Sequence, residues 1–138
     1  MTTIVYNHED KEIAYDSRLT RGGMIATDDD EKAITNESGV FLMAGKTADV
    51  ELVAKCYPEA PTREVDCYGF LIANGSVLWV ADGGAEGALI QDYNEAAGSG
   101  ECHAISAMDM GATAKEAVEM AARRDIYTGG KIRVIKVK

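Results

Sequence analysis

The chain has 138 residues, 46% of them hydrophobic and 27% charged, which is typical of a globular protein able to bury a core. Its formal net charge of −9 excludes a basic surface for a phosphate backbone, so nucleic acid is not expected as a partner. No apolar stretch approaches the roughly 20 residues of a membrane helix, and no signal peptide is expected. Three cysteines without a CxxC pair favour reduced thiols in a cytoplasmic protein, with no metal site and no cofactor.

The first half of the chain has the patterns of β-strands. "TTIVYN" and "KEIAYD" are joined by the polar "HED", which predicts a hairpin. "GGMIAT" and "KAITNE" flank the acidic run "DDDE", which is most often a solvated turn. The continuous apolar "GVFLMAG" predicts a strand that is buried on both faces. No linker-like tract interrupts the chain, so a single domain over residues 1–138 is expected.

A helix and a second hairpin are predicted next. The helix opens at Thr47, because Val50, Val53 and Ala54 repeat at helical spacing, and Pro58 stops it. "VDCYGFLIA" and "SVLWVAD" are two further strand candidates. They are joined by Asn-Gly, the strongest short hairpin signal, so we expect them to pair.

The last third is predicted to be helical before one final strand. The turn "GSG" leads into "ECHAISAM", and Thr113 with Glu116 predicts a capping box at the start of another helix. Gly129 ends this region, and "KIRVIKV" follows as a strand with apolar residues on both faces. Strands and helices in this order predict a layered arrangement. The expected buried stripe of the capped helix is Ala114, Ala117, Val118 and Ala121.

Thr2 has the chemistry of a nucleophile if Met1 is removed. A small second residue permits the ordinary aminopeptidase to act, and Thr2 would then carry a hydroxyl and a free α-amine. Such an amine titrates at about 7.7–8.0 and can take the proton from the hydroxyl. Lys32 is a candidate cation to tune the amine, and Asp16 is a candidate carboxylate to hold Lys32. Gly45, between a strand and a helix start, is a candidate N–H donor for the oxyanion.

Several segments, in the same order along the chain, resemble those of proteasome β-type subunits and HslV-like peptidases, which are N-terminal-nucleophile hydrolases. They are "TTIV", "IAYDSRLT", a lysine sixteen residues past the aspartate, "MAGKTAD", "GSG" and "RRDIYTGG". The resemblance implies a nucleophile, an aspartate–lysine pair, an oxyanion donor, an active-site serine, and an aspartate and a hydroxyl residue that support the amine. In that order these residues are Thr2, Asp16, Lys32, Gly45, Ser99, Asp125 and Thr128.

The resemblance also implies substrate-binding residues. The backbone of Thr20 would hold the substrate, and Leu19, Asp30, Met43 and Thr47 would line the pocket for the residue that precedes the scissile bond. A carboxylate from Asp30 favours a basic side chain there, whereas Met43 favours an apolar one. Both preferences stay open at this point.

By this resemblance the fold is α+β, a four-layer αββα sandwich, and the activity is hydrolysis of peptide bonds through an acyl-threonine intermediate. Only "YPEAPTREV" separates the first helix from the next strand, so the family's second helix is expected to be missing and the first helical layer shortened. The chain also stops at Lys138 without a further helix. The implied partners are a peptide or unfolded protein substrate, further copies in a homo-oligomer whose ring size is open, and an ATP-dependent unfoldase.

Two other functions remain as alternatives. One is a non-catalytic structural or assembly protein that keeps this fold, although Asp16, Lys32 and Asp125 would have no reason to stay together in it. The other is an amidase for a small non-peptide amide. Individual residues also have simpler interpretations: Asp16 and Lys32 as a surface ion pair, Ser99 as a helix N-cap, and Asp125 as the end of a helix.

Overall fold

The computed structural model describes residues 2–81 and 87–137. Within them it contains two larger antiparallel sheets, a separate two-stranded hairpin and three helices. The helices are α1 (Thr47–Cys56), α2 (Glu101–Asp109) and α3 (Ala114–Arg124). The strands are β1 (Thr3–Asn7), β2 (Glu12–Tyr15), β3 (Leu19–Arg21), β4 (Met24–Thr27), β5 (Ile34–Asn36), β6 (Gly39–Gly45), β7 (Cys67–Ala73), β8 (Ser76–Ala81), β9 (Ala88–Leu89), β10 (Glu95–Gly98) and β11 (Arg133–Lys136).

The first sheet has the order β10-β1-β2-β11, and the second has the order β5-β6-β7-β8-β9. The hairpin predicted from Asn-Gly is confirmed between β7 and β8, where Asn74 has a φ of 52° and Gly75 a φ of 75°. Positive φ at both central residues matches the twist of the flanking strands. The predicted hairpin of β1 and β2 is confirmed as well.

Three apolar clusters separate four layers of structure. Side chains alternate along β1, so that Ile4 and Tyr6 face the second sheet while Val5 faces α2 and α3. On β6, Leu42 faces the first sheet and Phe41 faces α1. The result is the predicted αββα sandwich, in which both sheets are covered on both faces.

The helices begin as the sequence predicts. Thr113 and Glu116 form both hydrogen bonds of the capping box at the start of α3. The alanine and valine stripe of α3 is fully buried against β1 and β2. Residues 57–66 form no helix before β7, so α1 is the only helix packed on the second sheet in the described part of the chain. None of the described helices is long and apolar enough to cross a membrane.

Three strands, β3, β9 and β10, were not predicted. The sequence of β10 is "EAAG", which lacks the β-branched and aromatic residues typical of strands. It is a strand because it pairs with β1, with Val5 opposite Ala96. Asp82, the last residue of the predicted strand "SVLWVAD", lies outside the described residues.

Candidate active site

Thr2, Asp16 and Lys32 meet at the start of β1. The Lys32 ammonium donates to Thr2 Oγ1 and lies 2.7 Å from Asp16 Oδ1, and Thr2 Oγ1 donates to the same carboxylate oxygen. The Asp16 side chain is 0% exposed and that of Lys32 is 10% exposed. This is a buried ion pair aimed at a hydroxyl, so the interpretation as a surface ion pair is wrong.

Backbone N–H groups fix the Asp16 carboxylate. Asp16 follows β2 directly, and its Oδ1 accepts from Thr3 N at 3.1 Å. Its Oδ2 accepts from Gly129 N at 3.0 Å and from Arg18 N at 3.4 Å. These donors compensate for the loss of water around a buried charge. They also orient the carboxylate toward Lys32.

The environment of Lys32 changes its acidity. Burial lowers the pKa of the Lys32 ammonium, and the nearby carboxylates of Asp16 and Asp30 oppose that shift without cancelling it. A lysine with a lowered pKa exchanges its proton more readily near neutral pH. Lys32 was expected on a strand, but it lies two residues before β5, which begins at Ile34.

The acidic run before Lys32 is held by two arginines. Asp28 accepts two hydrogen bonds from the Arg18 guanidinium, at 2.9 and 3.2 Å. Asp29 accepts one from Arg133 Nη2 at 2.9 Å. The interpretation of "DDDE" as a solvated turn is therefore incomplete. The run is bonded to Arg133 of the first sheet, and Lys32 follows it directly in the chain.

Ser99, Asp125 and Thr128 form a second cluster beside Thr2. Ser99 Oγ and Thr128 Oγ1 donate to Asp125 Oδ2 at 2.5 and 2.6 Å, and Tyr127 N donates to Asp125 Oδ1 at 3.1 Å. Burial alone would raise the pKa of Asp125, but these hydrogen bonds outweigh it and lower the pKa. Asp125 is thus a firmly ionised acceptor.

This cluster is connected to the first strand. Thr3 Oγ1 lies 2.7 Å from Thr128 Oγ1, and Ser99 Oγ lies 3.5 Å from the Thr2 carbonyl oxygen. Gly100, not Ser99, is the N-cap residue of α2, so the interpretation of Ser99 as an N-cap is wrong. Asp125 is the C-cap residue of α3, so its simpler interpretation as the end of a helix is correct. Its carboxylate also accepts the hydrogen bonds from Ser99 and Thr128.

Two glycines permit close backbone approaches at the site. Gly98 has a φ of +107°, and a Cβ there would lie 1.8 Å from the Thr2 carbonyl oxygen. Gly45 ends β6 with a φ of +142°, and a Cβ there would lie 2.5 Å from Asp66 O. Only glycine fits both the conformation and the space at these positions.

A cleft of about 430 Å³ opens beside Thr2. It is lined by Thr2, Lys32 and Gly45 from the predicted catalytic set, whereas the other four members of that set, Asp16, Ser99, Asp125 and Thr128, do not line it. All the predicted substrate-binding residues line it, and these are Leu19, Thr20, Asp30, Met43 and Thr47. Within the described residues, no group of His, Cys, Asp and Glu side chains is arranged to hold a metal ion.

Sequence reasoning missed Arg18, Arg133 and Thr3 as parts of the site. Thr3 is fully buried and bonded to Thr128, and the doubled threonine "TT" was the available signal. Arg18 had a weaker signal, since it follows Asp16 by two residues in a segment that was already singled out. Arg133 had none, because its contacts with the acidic run depend on the fold.

The four-layer αββα sandwich, with Thr2 directly before the central strand β1, is the class of fold that the sequence resemblance implied. Among solved structures, the chain is similar to eukaryotic HslV from Trypanosoma brucei, with a TM-score of 0.77 over 97% of this chain and 98% of that chain. The two are 19% identical, so the likeness establishes the fold. No family model and no curated protein matches the sequence. The HslV-like fold implied by the resemblance is therefore confirmed.

Proposed function

We propose that this protein is a threonine peptidase whose nucleophile is Thr2, exposed by removal of Met1. The contact of the Lys32 ammonium with Thr2 Oγ1 at the cleft wall carries the proposal, together with the buried ion pair that Lys32 forms with Asp16. A non-catalytic protein of this fold would bear the cost of burying two charges for no purpose. The HslV-like fold supports the same chemistry.

The first half of the reaction forms an acyl-threonine. The freed α-amine of Thr2 takes the proton from Oγ1, and the Lys32 ammonium stabilises the alkoxide that develops. The oxygen attacks the peptide carbonyl carbon, and the backbone N–H of Gly45 donates to the oxyanion. The tetrahedral intermediate collapses when the C–N bond breaks and the leaving amine takes the proton from the α-ammonium of Thr2.

The second half releases the acid product. The α-amine takes a proton from water, the resulting hydroxide attacks the ester carbonyl, and the C–O bond to Thr2 breaks with return of the proton to Oγ1. Ser99, whose Oγ lies 3.5 Å from the Thr2 carbonyl oxygen, and the ionised Asp125 bonded to it orient the α-ammonium through these steps. Thr128 holds the Asp125 carboxylate in place.

The proposed substrates are peptides or unfolded protein segments that enter the cleft. We propose further that the protein works in the cytoplasm as a homo-oligomer with its sites facing an enclosed space, fed by an ATP-dependent unfoldase. The HslV-like fold supports this. Light scattering after gel filtration measures the molar mass of the protein in solution. The mass of a single chain would contradict the proposed homo-oligomer.

Three measurements on the purified protein test the peptidase. Intact mass should show loss of one methionine, and a peptidyl epoxyketone should add to the peptide that contains Thr2. Hydrolysis of a fluorogenic peptide should be abolished by Thr2→Ala, with unchanged circular dichroism. Thr62→Ala, at an exposed threonine in the α1–β7 connection, is the matched control and should keep full activity.

The opposite results are equally clear. A retained Met1 with no adduct would favour the non-catalytic alternative. Equal peptide hydrolysis by the wild type and Thr2→Ala would eliminate Thr2 as the nucleophile. Hydrolysis of small amides alone, with no peptide cleaved, would replace the peptidase by an amidase of the same chemistry.

A further inference from the structure

Tyr68 and Glu101 connect the second sheet to the turn that carries Ser99. Tyr68 lies on β7 with its ring 5.7 Å from that of Trp79, and Glu101 is the first residue of α2. The Tyr68 hydroxyl donates to Glu101 Oε1. The backbone N–H of Gly98 is shared between the two, at 3.2 Å from Tyr68 Oη and 3.2 Å from Glu101 Oε1.

The turn held in this way touches the proposed nucleophile. Gly98 is paired with Thr3 and approaches the Thr2 carbonyl so closely that no Cβ fits between them. Ser99, the next residue, bonds to Asp125 and faces the same carbonyl oxygen. A displacement of the turn would therefore move Ser99 and the Thr2 backbone relative to each other.

The Tyr68 hydroxyl is suited to a permanent donor. Burial, followed by its hydrogen bond to Glu101, raises the pKa of Tyr68. The hydroxyl therefore stays protonated at neutral pH. Glu101 is in the first turn of α2, where a carboxylate also interacts favourably with the helix dipole.

We propose that Tyr68 and Glu101 are positioning residues that set the place of Ser99 beside Thr2. The inference rests on the proposed function, because the turn matters for catalysis only if Thr2 reacts. Neither residue lines the cleft, so both act through Gly98 and the turn. Tyr68 lies on the same sheet as Gly45, the proposed oxyanion donor. The contact with Glu101 therefore also fixes the position of that sheet relative to Thr2 beside the first sheet.

The first test does not depend on activity. Amide hydrogen exchange of peptides spanning residues 96–101 should be about tenfold faster in Tyr68→Phe and in Glu101→Ala, since each loses part of the bond network. Glu101→Gln keeps an acceptor oxygen and should restore most of the protection. Tyr57→Phe is the matched control, because Tyr57 is also half-buried and its hydroxyl accepts from Gly87 N, far from the turn.

The second test separates positioning from simple stabilisation. Tyr68→Phe and Glu101→Ala should lower kcat for a fluorogenic peptide about tenfold with KM unchanged, while Glu101→Gln and Tyr57→Phe stay close to the wild type. Circular dichroism identifies any variant that fails to fold, and the remaining variants then decide. Faster exchange with unchanged kcat would overturn the inference, as would unchanged exchange. A wild-type protein that neither hydrolyses the peptide nor reacts with the epoxyketone would refute the proposed function instead.

Discussion

The backbone N–H of Gly129 donates a 3.0 Å hydrogen bond to Asp16 Oδ2, although the two residues lie 113 positions apart in the chain. Gly129 belongs to the segment between α3 and β11 and is closely packed on the Arg18 guanidinium, where a Cβ would lie 2.5 Å from Cζ. One of the three backbone donors that fix the carboxylate is therefore supplied by the last part of the chain, and the other two, Thr3 and Arg18, by the first.

Asp16→Asn is expected to remove most of the activity with a measurable loss of stability. The amide cannot neutralise the buried Lys32 ammonium, and removal of one partner of a buried pair costs about 3 kcal/mol. We expect kcat/KM for a fluorogenic peptide to fall by about 100-fold or more, and urea unfolding to give a lower free energy. Asp92→Asn, at an exposed position, is the control. Wild-type activity in Asp16→Asn would contradict the role given to the pair.

Stability should rise with pH where Lys32 titrates. The pKa of Lys32 in the folded protein is lowered from 10.5 by burial, so the unfolded chain binds more protons than the folded one between the two values. The free energy of unfolding therefore increases as pH rises through that window, and the penalty for the buried charge is fully present below it. Urea unfolding from pH 7 to pH 10 measures the slope. Lys32→Met should flatten it, whereas Lys115→Met, at an exposed site on α3, should leave it unchanged.

Asp30 should determine which side chain is accepted before the scissile bond. Asp30 lines the cleft with Leu19, Met43 and Thr47, and an arginine or lysine of the substrate would gain a charged hydrogen bond if it reached the carboxylate. Asp30→Asn is expected to lower kcat/KM for such peptides about tenfold, with little change for leucine peptides. A peptide panel measures both. An unchanged ratio, together with a loss of leucine peptides in Met43→Ala, would assign the selection to Met43 instead.

Arg133 should support the acidic run that precedes Lys32. It contacts Asp29 at 2.9 Å, Glu31 at 3.3 Å and the carbonyl oxygen of Asp30 at 3.0 Å. Arg133→Gln is expected to lower the free energy of unfolding by about 0.5–1 kcal/mol, a small effect because Asp29 and Glu31 are mostly exposed. It should also lower kcat severalfold by loosening the segment that carries Lys32. Arg123→Gln, on the exposed face of α3, is the control, and equal behaviour of both variants would refute the prediction.

The sequence predicted the elements that carry strong local signals. The apolar run of β6, the Asn-Gly turn and the capping box of α3 each depend on neighbouring residues, and all were confirmed. The strand β10 was missed because "EAAG" has no strand propensity of its own and exists through pairing with β1. Local pattern is sufficient where a residue's partners are close in the chain.

Part of the candidate site was likewise predictable from the sequence, and part of it depends on contacts made only in the fold. The resemblance singled out Thr2, Asp16 and Lys32 by order and spacing, and the structure brings them into contact. The bond between Arg133 and Asp29 spans 104 positions, and no spacing rule predicts it. The bridge between Tyr68 and Glu101 depends on how two sheets stack, which periodicity along one strand does not reveal.

The cleft has one wall beside the four-stranded sheet, at Thr2, and another formed by the separate hairpin of β3 and β4. Thr2 and Asp16 adjoin central strands of the four-stranded sheet. Among the described strands, β3 pairs with β4 alone, and all the residues of β4 are exposed. An isolated pair of strands is marginally stable in water. An extended peptide lying along β3 would supply the missing third strand by main-chain pairing. Binding of a substrate would then also order this wall of the cleft, whereas the strands next to Thr2 and Asp16 are already paired on both sides.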